Sequence, residues 1–178
     1  TLLDFGANNI DNFIYLKRYL NELKYIYHDL PKNNSKIKDL IKMKNLKNII
    51  VIDRIEEIDN NIDFAFFGSS IHYINDYREV LKKISFKKIK YIIFSHTPFY
   101  TSKYNDKDVV MKQVNMHPII NYAYLIEYKN FLDIMDKNGY KLISQNKNTL
   151  IKFLNFKNFK NYSFLNFLDL IFVNKNIN

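Results

Sequence analysis

The sequence has no cysteine and no tryptophan, and only three of its 178 residues are glycine. Without cysteine the chain cannot form a disulfide, offer a thiol nucleophile or hold a thiolate-bound zinc or iron–sulfur cluster. Its longest mostly apolar stretches, such as residues 89–94 and 168–173, are far shorter than the roughly 18 residues of a membrane-spanning helix. A secretory leader pattern is also missing at residues 1–10. We therefore expect a soluble, cytoplasmic protein.

Arginine is scarce too, although the chain is basic. Its 27 basic and 18 acidic residues give a formal charge of +9, but the arginines are only Arg18, Arg54 and Arg78. A basic chain is a candidate for binding nucleic acid or an anionic membrane. Nucleic-acid-binding surfaces, however, use arginine for bidentate contacts, and abundant lysine, asparagine and isoleucine are typical of an AT-rich genome. We interpret the charge as a solvated lysine surface and expect no nucleic-acid partner.

Hydrophobic residues make up 47% of the chain, enough to build a core. Short apolar runs alternate with segments of helical apolar spacing, which predicts one domain, residues 1–178, with a mostly parallel α/β sheet. The predicted strands are residues 1–5, 25–28, 48–52, 63–67, 91–95, 140–144 and 168–173. The apolar residues that place the helices are Phe13, Leu16, Leu20 and Leu23, then Ile37, Leu40 and Ile41, then Tyr77, Val80, Leu81 and Ile84, and finally Leu125, Tyr128, Leu132 and Met135.

Several boundaries are also predicted. Asn34 or Ser35 is expected to cap the second helix, and Gly139 to end the last one in the left-handed conformation. Residues 96–122 are predicted to form a long irregular stretch, of the kind that often closes over a ligand. Because the chain begins directly on a strand-like run without an initiator methionine, we expect a native segment before Thr1.

Polar residues follow the predicted strands at their carboxyl ends, where open parallel sheets bind ligands. Asp4 and Gly6 stand at the end of the first strand, Asp29 after the second and Asp53 after the third. A carboxylate after the second strand suits a ribose diol, because it can accept both hydroxyl protons. Together these residues predict a site for a nucleoside-bearing cofactor. Asp53 has an equally good interpretation as the cap of a short helix.

The histidines are His28, His72, His96 and His117, and no pair has a spacing typical of metal ligands. We therefore expect no metal site. Three of the histidines fall on the predicted ligand face, and histidine is the usual general base near neutral pH. His96, directly after the fifth strand, is the candidate catalytic base.

These residues resemble a known family. Leu3-Asp4-Phe5-Gly6 resembles the first motif of class I S-adenosylmethionine-dependent methyltransferases, and residues 63–74 are similar to their fourth strand and the following turn. More specifically, the chain is similar to a family of bacterial methyltransferases that are often linked to surface-polysaccharide gene clusters. This similarity covers residues 2–173 and rests on residues 97–99, 108–113, 121–122 and 138–140.

The resemblance implies a Rossmann-like fold with a mostly parallel seven-stranded sheet, an antiparallel last strand and helices on both faces. It implies S-adenosylmethionine as cofactor, and an oxygen of a sugar, polysaccharide precursor or related metabolite as methyl acceptor. The implied cofactor-binding residues are Asp4, Phe5, Gly6, Ala7, Asp29, Leu30, Asp53, Ser69 and Ser70. The implied acceptor-side residues, in addition to His96, are Thr97, Gln113, His117 and Tyr122.

One departure from the family pattern keeps other functions open. Related first motifs carry further glycines after the first, so that the backbone approaches the cofactor closely. Here Ala7, Asn8 and Asn9 fill those positions. A degenerate, non-catalytic binding module of the same fold is therefore the alternative. A basic protein that binds nucleic acid or a membrane surface is a weaker alternative. Residues 153–167, which interleave phenylalanine and lysine, are the basis of this alternative. The preferred interpretation of that segment is a cover for the edge of the sheet.

Overall fold

The computed structural model describes residues 1–59, 61–101, 107–116, 118–147 and 164–176. Its strands are β1 (Leu2–Phe5), β2 (Tyr25–His28), β3 (Ile49–Ile52), β4 (Phe64–Gly68), β5 (Tyr91–Thr101), β6 (Val109–Met116), β7 (Ile119–Glu127), β8 (Tyr140–Lys147) and β9 (Phe164–Asn174). Its α-helices are α1 (Asp11–Lys17), α2 (Pro31–Lys44), α3 (Tyr77–Ser85) and α4 (Tyr128–Lys137), and short 3-10 helices span Ile55–Glu57 and Ile71–Tyr73.

Five strands form a parallel sheet in the order β3-β2-β1-β4-β5. Strand β9 runs antiparallel beside β5, and β8 runs antiparallel beside β9. Every strand that the sequence predicts is present. The predicted fold class is confirmed, including the antiparallel last strand.

The prediction that residues 96–122 form an irregular stretch is wrong. Strand β5 continues to Thr101, and β6 and β7 form an antiparallel hairpin that joins β5 through Phe99 and Tyr100. Pro98 suggests a strand end from sequence, yet it pairs with Phe167 beyond a bulge between Phe94 and Thr97. Prolines are tolerated beside such bulges. The described part of the sheet therefore has nine strands, and not the seven that the resemblance implies, because the hairpin adds two.

Helices cover both faces of the sheet, as predicted. On one face α3 and α4 bury Leu81 and Phe131 against β1, β4 and β5. On the other face α1 and α2 bury Phe13 and Ile37 against β1 and β2. Leu125, assigned to the last helix from its spacing, belongs instead to β7.

The start of α2 also differs from the prediction. The helix begins at Pro31, with Leu30 at the N-cap position and no side-chain cap. Proline suits the first helical position, because its fixed φ and missing N–H cost nothing there. Asn34 is therefore inside the helix and does not cap it; its side chain makes other contacts. Gly139 has the predicted left-handed backbone, with φ of 86°.

Among the described residues, no helix combines the length and apolarity needed to cross a membrane. The aromatic and lysine-rich segment at 153–163 lies outside the described residues.

Candidate functional site

A cleft of about 930 Å³ opens at the carboxyl ends of the parallel strands. Such a position follows from the topology, because loops on both sides of β1 leave a crevice there. Its volume lies in the range of small-molecule and cofactor sites. Its lining residues are Phe5, Gly6, Asn8, His28, Asp29, Leu30, Pro31, Asn33, Asp53, Gly68, Ser69, Ser70, Tyr73, Ile74, Asn75 and Asn121.

The turn after β1 forms one wall, and it requires glycine at Gly6 for two reasons. The φ of Gly6 is 71°, in the left-handed region. A Cβ added to Gly6 would also lie 2.5 Å from the Cβ of Ser70. The Ser70 hydroxyl donates a hydrogen bond to the Phe5 carbonyl at 2.7 Å. This contact brings the loops after β1 and β4 together.

Asn8 continues this turn and contacts the acid that follows β2. Its φ is 57°, a conformation that asparagine tolerates better than most residues. Its backbone N–H donates to Asp29 Oδ2 at 2.5 Å, and Leu30 N–H donates to Asp29 Oδ1 at 2.6 Å. The Tyr27 hydroxyl also donates to Asp29 Oδ2, at 3.4 Å. Three donors thus hold the Asp29 carboxylate at the cleft wall, two on Oδ2 and one on Oδ1.

Asp53 lies at the next corner of the cleft, directly after β3. Lys38 Nζ donates to Asp53 Oδ2 at 2.6 Å, and Asn34 Nδ2 donates to Asp53 Oδ1 at 2.9 Å. The Lys38 and Asn34 hydrogen bonds lower the pKa of Asp53. The carboxylate is therefore charged at neutral pH. Arg54, and not Asp53, precedes the 3-10 helix Ile55–Glu57 at its N-cap position.

Asp4 and Ala7 lie outside this lining. Asp4 is buried, and its Oδ2 accepts hydrogen bonds from the Tyr25 hydroxyl and, at 2.9 Å, from Asn12 Nδ2. Burial raises the pKa of Asp4. Ala7 packs against the core on the side of α1 and α2. Asp4 thus contacts α1 beneath the turn, while the turn itself faces the cleft.

The end of β4 forms the floor of the cleft. Gly68, Ser69 and Ser70 all line the cleft. Ser69 has φ of 55°, and its backbone N–H donates to the Ser95 carbonyl at 2.8 Å. The left-handed residue redirects the chain from β4 into the 3-10 helix Ile71–Tyr73, which forms a further wall.

The predicted acceptor-side residues are dispersed. Thr97 is fully buried within β5, and Tyr122 on β7 is 65% exposed and does not line the cleft. Gln113 on β6 accepts a hydrogen bond from the hydroxyl of Tyr73, a cleft residue, at 3.0 Å. His117 lies outside the described residues. The hairpin reaches the cleft instead through Asn121.

Two histidines lie beside the cleft without lining it. His96 lies within the bulge of β5 and has φ of 56°. Its backbone N–H donates to Asp169 Oδ1 at 2.7 Å, and its ring packs on Phe167. Burial lowers the pKa of His96, although Asp169 opposes that shift. His72 is only 3% exposed, and its Nδ1 has no hydrogen-bond partner. Burial, with a smaller contribution from His96, lowers the pKa of His72 to about 4.

Several lining residues were missed from the sequence, among them His28, Tyr73, Asn75 and Asn121. His28 is the last residue of β2, so its position at a strand end was the available signal; its Nδ1 lies 3.1 Å from the Ile52 carbonyl oxygen. Tyr73 ends the 3-10 helix after β4, Asn75 follows it, and Asn121 lies on β7 of the hairpin. In the described part of the chain, no group of three acidic or histidine side chains is arranged to hold a metal ion.

No protein-family model matches the sequence, and no curated protein matches it. Solved structures do match. The O-MT segment of StiE superposes with a TM-score of 0.66 at 12% identity, covering 99% of this chain and 68% of that one. The chain has the class I methyltransferase fold.

Two further matches were solved with a ligand. The N-terminal domain of EvdMO1, with SAH (S-adenosylhomocysteine) bound, has a TM-score of 0.60 at 12% identity over 97% of this chain and 73% of that one. The 1,6-didemethyltoxoflavin-N1-methyltransferase of Burkholderia thailandensis, with its substrate and S-adenosylhomocysteine, has a TM-score of 0.60 at 13% identity over 97% of this chain and 70% of that one. At such identities the similarity establishes the fold, and function has to be argued from the site.

Proposed function

We propose that the protein is an S-adenosylmethionine-dependent methyltransferase that acts on an oxygen of a small acceptor, a sugar or related metabolite. One observation carries the proposal. The same cleft is lined by the Gly6 turn, where a side chain would clash with Ser70, and by the carboxylates that follow β2 and β3. The ligands bound to the structural neighbours support the same cofactor. The resemblance to bacterial proteins of polysaccharide gene clusters supports a sugar-type acceptor in a bacterial cytoplasm.

The residues of the cleft fit the nucleoside part of this cofactor. The turn at Gly6 presents backbone without a side chain at the cleft wall, and Asp29 Oδ1, which accepts the Leu30 N–H, retains acceptor capacity for a ribose hydroxyl. Asp53, the adenine-side residue in this assignment, stays ionised. Phe5, Leu30, Ser69 and Ser70 complete the wall and floor, and Asp4 and Ala7 support the turn from beneath.

S-adenosylmethionine supplies a methyl group already activated on a sulfonium. The chain therefore contributes mainly by holding the acceptor in line, and alignment of two reactants can provide roughly 7–11 kcal/mol. His96 is the proposed base for the acceptor hydroxyl, since burial lowers its pKa and keeps the ring neutral at pH 7. Thr97 lies on the extension of β5, and Gln113 and Tyr122 lie on the hairpin. We assign these three residues, together with His117, to the acceptor side.

The cofactor assignment is tested by thermal unfolding with S-adenosylmethionine and with S-adenosylhomocysteine. Ligand at 100 times its dissociation constant should add about 2.7 kcal/mol to the free energy of unfolding. Asp29→Asn should reduce the shift in melting temperature by weakening the ribose contact. Asp63→Asn, directly before β4 and therefore at the opposite end of the strands from the cleft, should leave the shift unchanged. Absence of any shift at millimolar ligand would sink the proposal.

The base assignment has its own experiment. Transfer of labelled methyl to a panel of sugar nucleotides and phenols should be lost in His96→Ala, with the dissociation constant for S-adenosylhomocysteine unchanged. Equal turnover in the variant and the wild type would remove His96 from the reaction.

A second candidate, a binding module of the same fold that transfers no methyl group, is favoured by Asn8. Family members carry glycine in this turn, whereas here an asparagine lines the cleft. Such a module would bind a nucleoside without turnover. Asn8→Gly separates the two candidates: tighter binding of S-adenosylhomocysteine in this variant favours the module, and unchanged or weaker binding favours the enzyme.

A further inference from the structure

One buried side chain contacts both Asp29 and Asp53, which we call the acidic corners of the cleft. Asn34, on α2, is only 1% exposed. Its Oδ1 accepts a hydrogen bond from the Asp29 backbone N–H at 2.9 Å. Its Nδ2 donates to the Ile52 carbonyl at 3.0 Å and to Asp53 Oδ1 at 2.9 Å. Both amide protons and the amide oxygen are thus used.

These three bonds allow only one orientation of the amide. A flipped amide would place its NH₂ group against the Asp29 N–H and its oxygen against the Asp53 carboxylate, so every contact would become repulsive. Because Ile52 ends β3 and Asp29 directly follows β2, this side chain joins the ends of two neighbouring strands, as does the His28 ring, whose Nδ1 lies 3.1 Å from the same Ile52 carbonyl oxygen. It also fixes the Asp29 backbone relative to the Asp53 carboxylate at the cleft.

The other contacts of these acids do not duplicate this connection. Lys38 reaches only Asp53, and both members of that ion pair are about half exposed. Exposed ion pairs contribute little, because solvent screens them. Asn8 and Leu30 reach only Asp29. The described hydrogen bonds therefore make Asn34 the side chain that contacts both acidic corners.

We infer that Asn34 is a positioning residue for a nucleoside ligand, holding Asp29 and Asp53 at the separation that binds its ribose and base. The inference rests on the proposed function, and it places the specificity for the nucleoside in a buried side chain that touches no ligand. A buried hydrogen bond to a charged group stabilises its partner more strongly than an exposed one. Loss of the amide should therefore release the Asp29 backbone and the Asp53 carboxylate at once and change the position of the two acids relative to each other.

The experiment replaces the amide by an apolar group of similar volume, Asn34→Leu. Isothermal titration with S-adenosylhomocysteine and with adenosine is carried out at a temperature where the variant is folded. Both dissociation constants should rise about tenfold and by the same factor, because the two ligands share the nucleoside. Hydrogen exchange at the Asp29 amide should also accelerate. Ser35→Ala, an exposed neighbour on the same helix, should change neither quantity.

The outcomes separate this inference from the proposed function. If the wild type binds neither ligand, the proposed function and the inference both fail. If the wild type binds and folded Asn34→Leu binds equally well, only the inference fails, even if the melting temperature falls. Should the leucine variant not fold, Asn34→Asp keeps the acceptor for the Asp29 N–H but loses both donors and faces Asp53 with a like charge. It should weaken both ligands, and an unchanged dissociation constant would overturn the inference.

Discussion

The packing at Gly6 and the burial of His72 depend on residues that are distant in the sequence. The left-handed turn at Gly6 is a property of the backbone, and sequence reasoning finds it because glycine follows a strand. The close approach of Ser70 is a property of packing between segments far apart in the chain. His72 gives no signal in the sequence beyond its position near a strand end, yet burial leaves its Nδ1 unpaired.

Gly6→Ala should lower the free energy of unfolding by about 2–5 kcal/mol, from overpacking against Ser70 and from left-handed strain together. Gly139→Ala is the matched control. That glycine has φ of 86°, but a Cβ there would meet its nearest atom, Asn176 Nδ2, at an ordinary 3.6 Å. The control should lose only about 1–2 kcal/mol. Urea denaturation measures both, and equal losses would contradict the packing argument.

His72→Phe should flatten the pH dependence of stability on the acid side. The pKa of His72 is about 4 in the folded protein and about 6.5 when unfolded. The unfolded state therefore binds more protons between these values, so stability falls as the pH drops from about 7 to 4, by up to roughly 3 kcal/mol. The phenylalanine ring has no such proton to bind and leaves no unpaired nitrogen.

Urea unfolding of both proteins at pH steps from 7.5 to 4 measures this difference. Asp4, whose raised pKa acts in the opposite direction, titrates in both proteins and cancels in the comparison. Parallel stability curves for the wild type and His72→Phe would show that the imidazole is not desolvated.

At the scale of elements, the hairpin β6–β7 is held over the cleft by a few specific contacts. Asp108, at the start of β6, accepts hydrogen bonds from the Tyr77 hydroxyl at 2.8 Å and from Arg78 at 2.6 Å, both on α3. Its other oxygen accepts the Glu127 backbone N–H at 2.9 Å. One carboxylate therefore links α3 and both strands of the hairpin. None of these links follows from local periodicity.

Asp108→Ala should release the hairpin and lower the free energy of unfolding by about 3 kcal/mol, because it leaves buried donors without partners. Hydrogen exchange should accelerate at the Glu127 amide and along β7. Glu56→Gln, which removes an exposed ion pair with Lys83, should change little. Unchanged protection of β7 in Asp108→Ala would contradict the assigned role.

At the scale of the whole molecule, one face of the sheet keeps an open apolar groove. Its volume is about 830 Å³, and it runs between α1 and strands β4 and β5. Tyr15, Tyr19, Leu20, Phe64, Phe66 and Ile93 are among its lining residues. Parallel sheets normally have both faces covered, and clustered exposed apolar residues bind apolar molecules.

The groove should bind the dye 8-anilinonaphthalene-1-sulfonate in the folded protein. Phe64→Lys, at a position 40% exposed within the groove, should reduce the dye fluorescence several-fold. Phe86→Lys, at a position 70% exposed outside the groove, is the matched control and should leave it unchanged. Equal fluorescence in both variants would place the dye elsewhere.

The succession of strands and helices outside the hairpin, the fold class, and the grouping of Gly6, Asp29, Asp53 and Ser69 at the carboxyl ends of the strands could be predicted from the sequence. They follow from apolar periodicity and from residues at strand ends, which are local signals. The hairpin and the contacts of Asn34 could not, because they depend on which distant segments pair. Local chemistry thus determined the succession of elements, while packing decided which side chains face the cleft.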